Sequence, residues 1–291
     1  MRAAVPALAL ATCAACASPA PDPHFQPTQS VLEAVAVLRR HVPDDTYRFE
    51  PARDFTGRNV YRASLLRLEN LERIHAAELR AGHMDDVIAF AKGRALERLR
   101  AFELAAASYR RAAERDGPLR GEARRSAAVC DALAEAAALE PDPGRSRLGR
   151  LLEDHGGSHY AAVIREELEH AQLEGALHLV SVRRLGADGD VRAVAALQRL
   201  VMDHGESKNH NRHLLRLAEL YDALAREYVA TNAPEGLRFD PPAFEELVDA
   251  AARLYEAVAN QDGATERIEA AQRLESFLAF TLRVDRDRFS R

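Results

Sequence analysis

The chain has 291 residues, of which 47% are hydrophobic and 29% are charged, and it contains no tryptophan. Its formal net charge of −5 argues against a general nucleic-acid binder, which needs a basic surface. Alanine and leucine, both strong helix formers, supply most of the apolar residues, while glycine and proline are few, so the composition predicts an all-α protein.

The amino terminus predicts export. Arg2 precedes an apolar stretch, residues 3–15, that only Pro6 interrupts. This stretch is shorter than the roughly 20 residues that a membrane-spanning helix needs, and it suits a secretory signal. Residues 17–29 then have the composition of a proline-rich linker. We interpret residues 1–16 as a signal peptide, and an ordinary cleaved signal or a disordered cytosolic tail remains an alternative.

Two cysteines at the end of this segment suggest a lipid anchor. Cys13 and Cys16 lie where bacterial lipoprotein precursors carry the cysteine that becomes lipidated, so the segment resembles a lipobox. We favour Cys16 over Cys13, because Cys13 would leave a very short signal. The resemblance implies a protein tethered to the inner or outer membrane and facing the periplasm, with a soluble periplasmic or secreted protein as the alternative. The third cysteine, Cys130, is predicted to be a small core residue.

Helical periodicity, together with capping and helix-breaking residues, divides the rest of the chain into helices. Ser30 and Glu33 match a capping box, and Pro43 is expected to end the first helix. Asp240-Pro241-Pro242 is predicted to begin the last two helices. Between these points the periodicity predicts single helices at residues 59–81, 119–139, 147–155, 158–184, 190–204 and 207–231. It also predicts a helix that starts at residue 85 or 86, and a pair of helices within residues 91–115.

One short pattern occurs twice, at residues 151–158 and 200–207, with a spacing of 49 residues. Each copy is an amphipathic run that ends in Asp-His-Gly and is followed two residues later by a serine. A glycine in the left-handed conformation can close a helix, and a serine can cap the next one. The repeat therefore predicts stacked helical hairpins.

A family resemblance appears in the pair at 91–115. The residues that carry it are Ala105, Tyr109, Ala112 and Pro118, which resemble the second helix and exit turn of a tetratricopeptide repeat. The preceding helix has Gly93 but lacks the family's tryptophan and tyrosine. The resemblance covers roughly residues 91–231, and the longer spacing is similar to that of the looser repeats in bacterial envelope lipoproteins that assist outer-membrane assembly.

The resemblance implies an α-solenoid of antiparallel helical hairpins, a right-handed superhelix that occupies residues 30–291. It also implies a non-enzymatic, cofactor-free scaffold that binds a protein or peptide partner during envelope assembly or maintenance. A cytosolic adaptor with the same fold is an alternative.

Histidine spacings suggest a competing metal-binding enzyme. Glu72 with His75, and Glu167 with His170, fit the Glu-x-x-His spacing of four-helix di-iron proteins. Such a site needs a glutamate from each of two further helices, and the sequence identifies none. A second histidine group, His204, His210 and His213, is interpreted as a surface patch near a hairpin turn, so no metal site is predicted.

Charge is distributed unevenly along the chain. Residues 92–125 contain ten basic and five acidic residues, whereas residues 235–275 contain ten acidic and four basic ones. Within the basic segment, we predict that Arg110, Arg111 and Arg115 contact an acidic protein partner.

Overall fold

The computed structural model describes residues 25–45 and 53–288. Within these ranges the regular structure is twelve α-helices, one 3₁₀ turn at Arg183–Leu185 and an isolated bridge between Arg53 and Asn59, without a β-strand. The predicted all-α class is confirmed. None of the helices in these ranges is long and apolar enough to cross a bilayer. Cys13 and Cys16 lie outside the described residues.

The helices follow one another with short connections. In chain order they are α1 (Pro27–Asp45), α2 (Val60–Ile74), α3 (Ala76–Ala81), α4 (Asp85–Arg98), α5 (Phe102–Glu114), α6 (Arg120–Ala138), α7 (Pro141–His155), α8 (Ala161–Val182), α9 (Gly189–Asp203), α10 (His210–Thr231), α11 (Pro241–Ala259) and α12 (Arg267–Arg288).

The first helix differs from its prediction at both ends. It begins at Pro27, so Ser30 lies inside the helix and the predicted capping box is wrong. Proline is favourable in a first helical turn, because its missing N–H has no intrahelical partner there. The helix continues to Asp45, which places Pro43 in the last turn instead of beyond it.

One predicted helix and one predicted pair of helices are each divided by a change of backbone direction. The stretch at 59–81 divides at His75, where φ is −116° and ψ is 28°, into α2 and α3. Asn59 caps α2, since its Oδ1 accepts a hydrogen bond of 2.9 Å from the backbone N–H of Arg62. The pair at 91–115 divides near Arg100, whose φ of 59° is left-handed. Such a conformation ends α4, and α5 packs against it.

The duplicated pattern does separate consecutive helices, but its turn differs from the predicted one. Gly156 has a right-handed backbone with φ of −53°, so it does not close the helix in the left-handed conformation. Helices α8 and α10 each begin three residues after the serine, which therefore does not cap them. Instead the backbone N–H groups of Ser158 and Ser207 donate to the carbonyl groups of His155 and His204, at 2.8 and 3.1 Å.

Each helix packs mainly against its neighbours along the chain, and the apolar core is correspondingly a series of clusters. One cluster joins α1 to α4, a second joins α4 to α8, a third joins α8, α9 and α10, and a fourth joins α10, α11 and α12. Cys130 is buried in the second cluster, as predicted. This arrangement leaves a concave surface that is lined by α1, α4 and the start of α8.

Candidate functional site

The concave surface is a groove of about 1100 Å³ between α1, α4, the α5–α6 connection and the start of α8. Its floor is apolar and consists of Val35 and Leu38 from α1, Val87 and Phe90 from α4, and Val163 from α8. A concave apolar surface of this size is typical of a binding site. We call it the groove below.

Helix α4 contributes the largest share of the groove because of its side-chain spacing. Val87, Phe90, Arg94 and Arg98 recur at intervals of three and four residues, which places them on one helix face. This stripe of apolar and basic side chains is visible in the sequence. Sequence reasoning missed it because the same spacing also occurs in ordinary core-facing helices.

Positive charge predominates on the groove walls. The charged residues that line it are Arg39, Arg94, Arg98, Arg115, Asp86 and Asp116. Two histidines, His83 and His159, also line it. The groove therefore combines an apolar floor with a surplus of guanidinium groups, which suits a ligand that carries apolar side chains and a carboxylate.

Arg94 connects the groove to a buried polar cluster. Its guanidinium group lies 3.4 Å from a carboxylate oxygen of Glu97 and 3.4 Å from one of Glu122. Its Cζ atom also lies 5.3 Å from the centre of the Phe90 ring. Burial disfavours the charged form of Arg94, but Glu97, Tyr109, Tyr160 and Glu122 together outweigh burial and raise the pKa of the guanidinium. Arg94 is therefore a permanent cation in the groove wall.

Glu97 lies beneath Arg94 and is itself buried. The hydroxyl of Tyr109 donates a hydrogen bond of 2.8 Å to it, and burial together with Glu97 raises the pKa of that hydroxyl. The ring of Tyr109 packs on Gly93, where an added Cβ would lie only 2.6 Å from the ring atom Cε1. This close approach explains why α4 has glycine at position 93.

Glu122 lies under the first copy of the duplicated pattern. Tyr160 donates a hydrogen bond of 2.6 Å to its Oε1 atom, and the His159 ring lies 3.0 Å from the same atom. Burial opposes ionisation of Glu122, but the bonds from Tyr160 and Arg125 outweigh it and lower the pKa of the carboxyl group. Burial and the bond to Glu122 raise the pKa of Tyr160 to about 12.

A second carboxylate, Glu169, lies under the other copy. Its Oε1 atom accepts a hydrogen bond of 2.6 Å from the hydroxyl of Ser207 and lies 2.6 Å from Nε2 of His213. The side-chain amide of Asn209 donates to the same oxygen at 3.4 Å. His213 is buried, so the interpretation of the histidine group as a surface patch is wrong for this residue. Burial opposes ionisation of Glu169, but the bonds from His213 and Ser207 lower the pKa of its carboxyl group overall.

The structure separates the three arginines that were predicted to contact a partner. Arg110 forms an ion pair with Asp131 on α6, and Arg111 forms one with Glu72 on α2. Arg115 lines the groove, where its guanidinium contacts the ring of His83. Of these three arginines, Arg115 alone is a groove residue.

The two Glu-x-x-His pairs lie on different helices and their glutamates form ion pairs. Glu72 on α2 lies 3.2 Å from the ammonium group of Lys92. Glu167 on α8 accepts two hydrogen bonds of 2.8 Å from Arg100. Throughout residues 25–45 and 53–288, no three His, Cys, Asp or Glu side chains are placed to hold a metal ion.

A comparison of the chain with protein-family models finds no match, and a search of curated protein sequences likewise finds none.

Proposed function

We propose that this protein is a non-enzymatic binding scaffold whose groove holds a short segment of a protein partner. The observation that carries the proposal is the groove itself, about 1100 Å³ of concave surface with an apolar floor and arginines along its walls. Binding through such a surface requires no cofactor and no catalytic residue.

The chemistry of the groove defines the partner segment. Val87 and Phe90 favour aliphatic or aromatic side chains, because burial of apolar area provides most of the binding free energy. Arg39 and Arg115 favour an aspartate or glutamate beside those side chains. This refines the predicted acidic partner, since the contacts are assigned to Arg39 and Arg115 and no longer to Arg110 and Arg111.

We further propose that the helices form an α-solenoid similar to tetratricopeptide repeats. Three observations support it: the packing of successive helices on one another, the close contact between Gly93 and Tyr109, and the equivalent turns that cover Glu122 and Glu169. In such an architecture, consecutive hairpins create an extended concave surface.

The proposed location is the bacterial envelope, with Cys16 lipidated and the chain facing the periplasm. The signal-like residues 1–16 support this location. Assembly or maintenance of the envelope is the process that we propose it serves. Metabolic labelling with a radioactive fatty acid tests the anchor, and we expect Cys16→Ala to abolish the label and Cys13→Ala to retain it.

Peptide selection tests the groove directly. A random peptide library is selected on the purified protein, and the enriched peptides are measured for affinity by fluorescence anisotropy. We expect enriched sequences to combine apolar residues with Asp or Glu, and we expect Val87→Asp to weaken their binding at least tenfold. The matched control, Leu104→Asp, introduces the same charge at an exposed position of α5 and should leave binding unchanged.

A second variant separates loss of binding from loss of folding. Arg115→Glu alters the groove wall without removing a core side chain, and it should selectively weaken the acidic peptides. Enriched peptides that bind Val87→Asp and Arg115→Glu as tightly as the original protein would exclude the groove as the binding site.

A further inference from the structure

The outward side of α2 exposes apolar side chains between arginines. Leu66 is 58% exposed and Ile74 is 62% exposed. Phe25, which precedes α1, and Phe55, in the connection before α2, are also exposed. Leu66, Ile74 and Phe25 border a shallow cleft of about 760 Å³.

The helical repeat explains why these side chains point outward together. Tyr61, Leu68 and Leu71 bury the opposite side of α2 against the core. With about 100° of rotation per residue, Arg62, Leu66 and Arg73 lie on the side facing away from that core. We call these three residues, together with the exposed Arg58 just before α2 and the exposed Ile74 at its last residue, the α2 outer face.

The α2 outer face carries more positive than negative charge. Its three arginines are Arg58, just before α2, and Arg62 and Arg73 within it. Glu69 lies between Arg62 and Arg73 on the same side and is 3.9 Å from the ammonium group of Lys92, whereas Glu72, nearer the core, is 3.2 Å from that group. Asp54, next to Phe55, accepts hydrogen bonds of 2.8 and 3.0 Å from the backbone of its own loop. The outer face is therefore both apolar and cationic.

The position of this face relative to the proposed lipid anchor is restricted. Phe25 lies nine residues after Cys16 and borders the cleft beside α2. Even a fully extended chain of this length spans only roughly 30 Å. This step rests on the lipid anchor of the proposed function, because a lipidated Cys16 would hold the α2 outer face close to the bilayer.

We propose that the α2 outer face, with Phe25, rests on an anionic lipid surface. Apolar side chains of this kind enter the headgroup region, while guanidinium groups bind lipid phosphates. The contact would orient the body of the protein on the membrane, a role that the lipid chain alone does not provide. A protein surface is the competing occupant, and it predicts no binding to lipid.

Vesicle co-sedimentation tests this proposal. The probe is residues 17–291, which contain every described helix and lack both the apolar signal and the lipidated cysteine. We expect this protein to sediment with vesicles that contain phosphatidylglycerol and to remain in solution with vesicles of phosphatidylcholine alone. The paired substitutions Arg62→Glu and Arg73→Glu should lower the partition coefficient by roughly tenfold or more, since each exposed arginine contributes separately.

Two further variants control for charge and for apolar insertion. Arg192→Glu with Arg199→Glu makes the same change in net charge on exposed positions of α9, and it should leave sedimentation unchanged. Leu66→Ser with Ile74→Ser should weaken binding while retaining the charge. Circular dichroism verifies that each variant is folded. The proposal is overturned by absence of binding to anionic vesicles, or by an equal loss in the α9 variant, and neither result affects the peptide test of the groove.

Discussion

The two copies of the Asp-His-Gly pattern form similar turns, but the glutamates beneath the two turns have very different surroundings. Glu122, under the first turn at residues 155–160, has a side chain that is 24% exposed and interacts with Arg94, Arg125 and Tyr160. Glu169, under the second turn at residues 204–209, has a side chain that is 2% exposed and interacts with Ser207 and the neutral amide of Asn209 as well as His213.

The difference shows how one local motif can serve two purposes. The cluster around Glu122 includes Arg94 and Tyr160, which line the groove, so the guanidinium of Arg94 lies beside the proposed ligand. The cluster around Glu169 instead connects α8 to the turn before α10 and to α10 itself, where it satisfies buried polar groups. We expect the first cluster to matter more for binding and the second for stability.

The largest effect should come from removing Glu169, with Glu122 as its comparison. Glu169→Ala leaves His213 and its neighbours without their buried acceptor, so it should lower the free energy of unfolding by roughly 3–5 kcal/mol. Glu122→Ala should cost about 1 kcal/mol, because water reaches part of that site. Urea unfolding followed by circular dichroism measures both, with Glu275→Ala on the exposed side of α12 as the control. Equal losses for the two acids would contradict the comparison.

The next effect concerns the support beneath the first cluster. Gly93→Ala places a methyl group against the Tyr109 ring and should lower the free energy of unfolding by roughly 1–3 kcal/mol. The matched control is Gly149→Ala in α7, where an added Cβ meets nothing within 4 Å. That control should be stabilising by up to about 1 kcal/mol through helix propensity. A neutral Gly93→Ala variant would show that α4 and α5 can separate without cost.

Alkaline pH should affect the first cluster in particular. The pKa of Tyr160 rises from 10.0 to about 12 in the folded protein, because the phenol is buried and bonded to Glu122. The contribution of Tyr160 to the free energy of unfolding is therefore complete below pH 10 and is lost as the pH rises toward 12. Tyr160→Phe should lower the free energy of unfolding at neutral pH by roughly 0.5–1 kcal/mol and reduce the decline in Tm across this window. An unchanged alkaline decline would rule out this contribution of Tyr160, although Tyr109 and Tyr255 also have raised pKa values and should retain part of it.

Mild acid should affect the second cluster, with the smallest of the four effects. Burial lowers the pKa of His204 below 6.5, so the unfolded chain binds the proton more readily than the folded protein. The protein should accordingly lose stability as the pH falls below 6.5. Thermal melts from pH 7.5 to 5.0 should show a shallower decline for His204→Gln. Burial also lowers the pKa of His210, so this residue should retain part of the pH dependence of Tm in the variant. An unaltered slope of Tm against pH would contradict the role of His204.

Several features of the fold were predictable because they depend on neighbouring residues. The division into helices follows from amphipathic periodicity, and the position of Cys130 in the core follows from its apolar neighbours in sequence. The helix ends were less accurate: α1 begins at Pro27 instead of after Ser30, and Gly156 keeps a right-handed backbone.

The site was harder to predict for a physical reason. Arg110 and Arg111 occur in the same basic segment as Arg115, but ion pairs with Asp131 and Glu72 occupy them. These partners are separated from the arginines by 21 and 39 residues, beyond the range of any helical spacing rule.

The sequence by itself determined that the chain is helical and that the same type of turn occurs twice, because both properties arise from short-range patterns. Only the tertiary structure decided which acid lies beneath each turn and which side of α4 faces α1 and α8. Those contacts join residues that are far apart in the chain, and they form only once several helices have packed, because each helix buries the side that its neighbours cover.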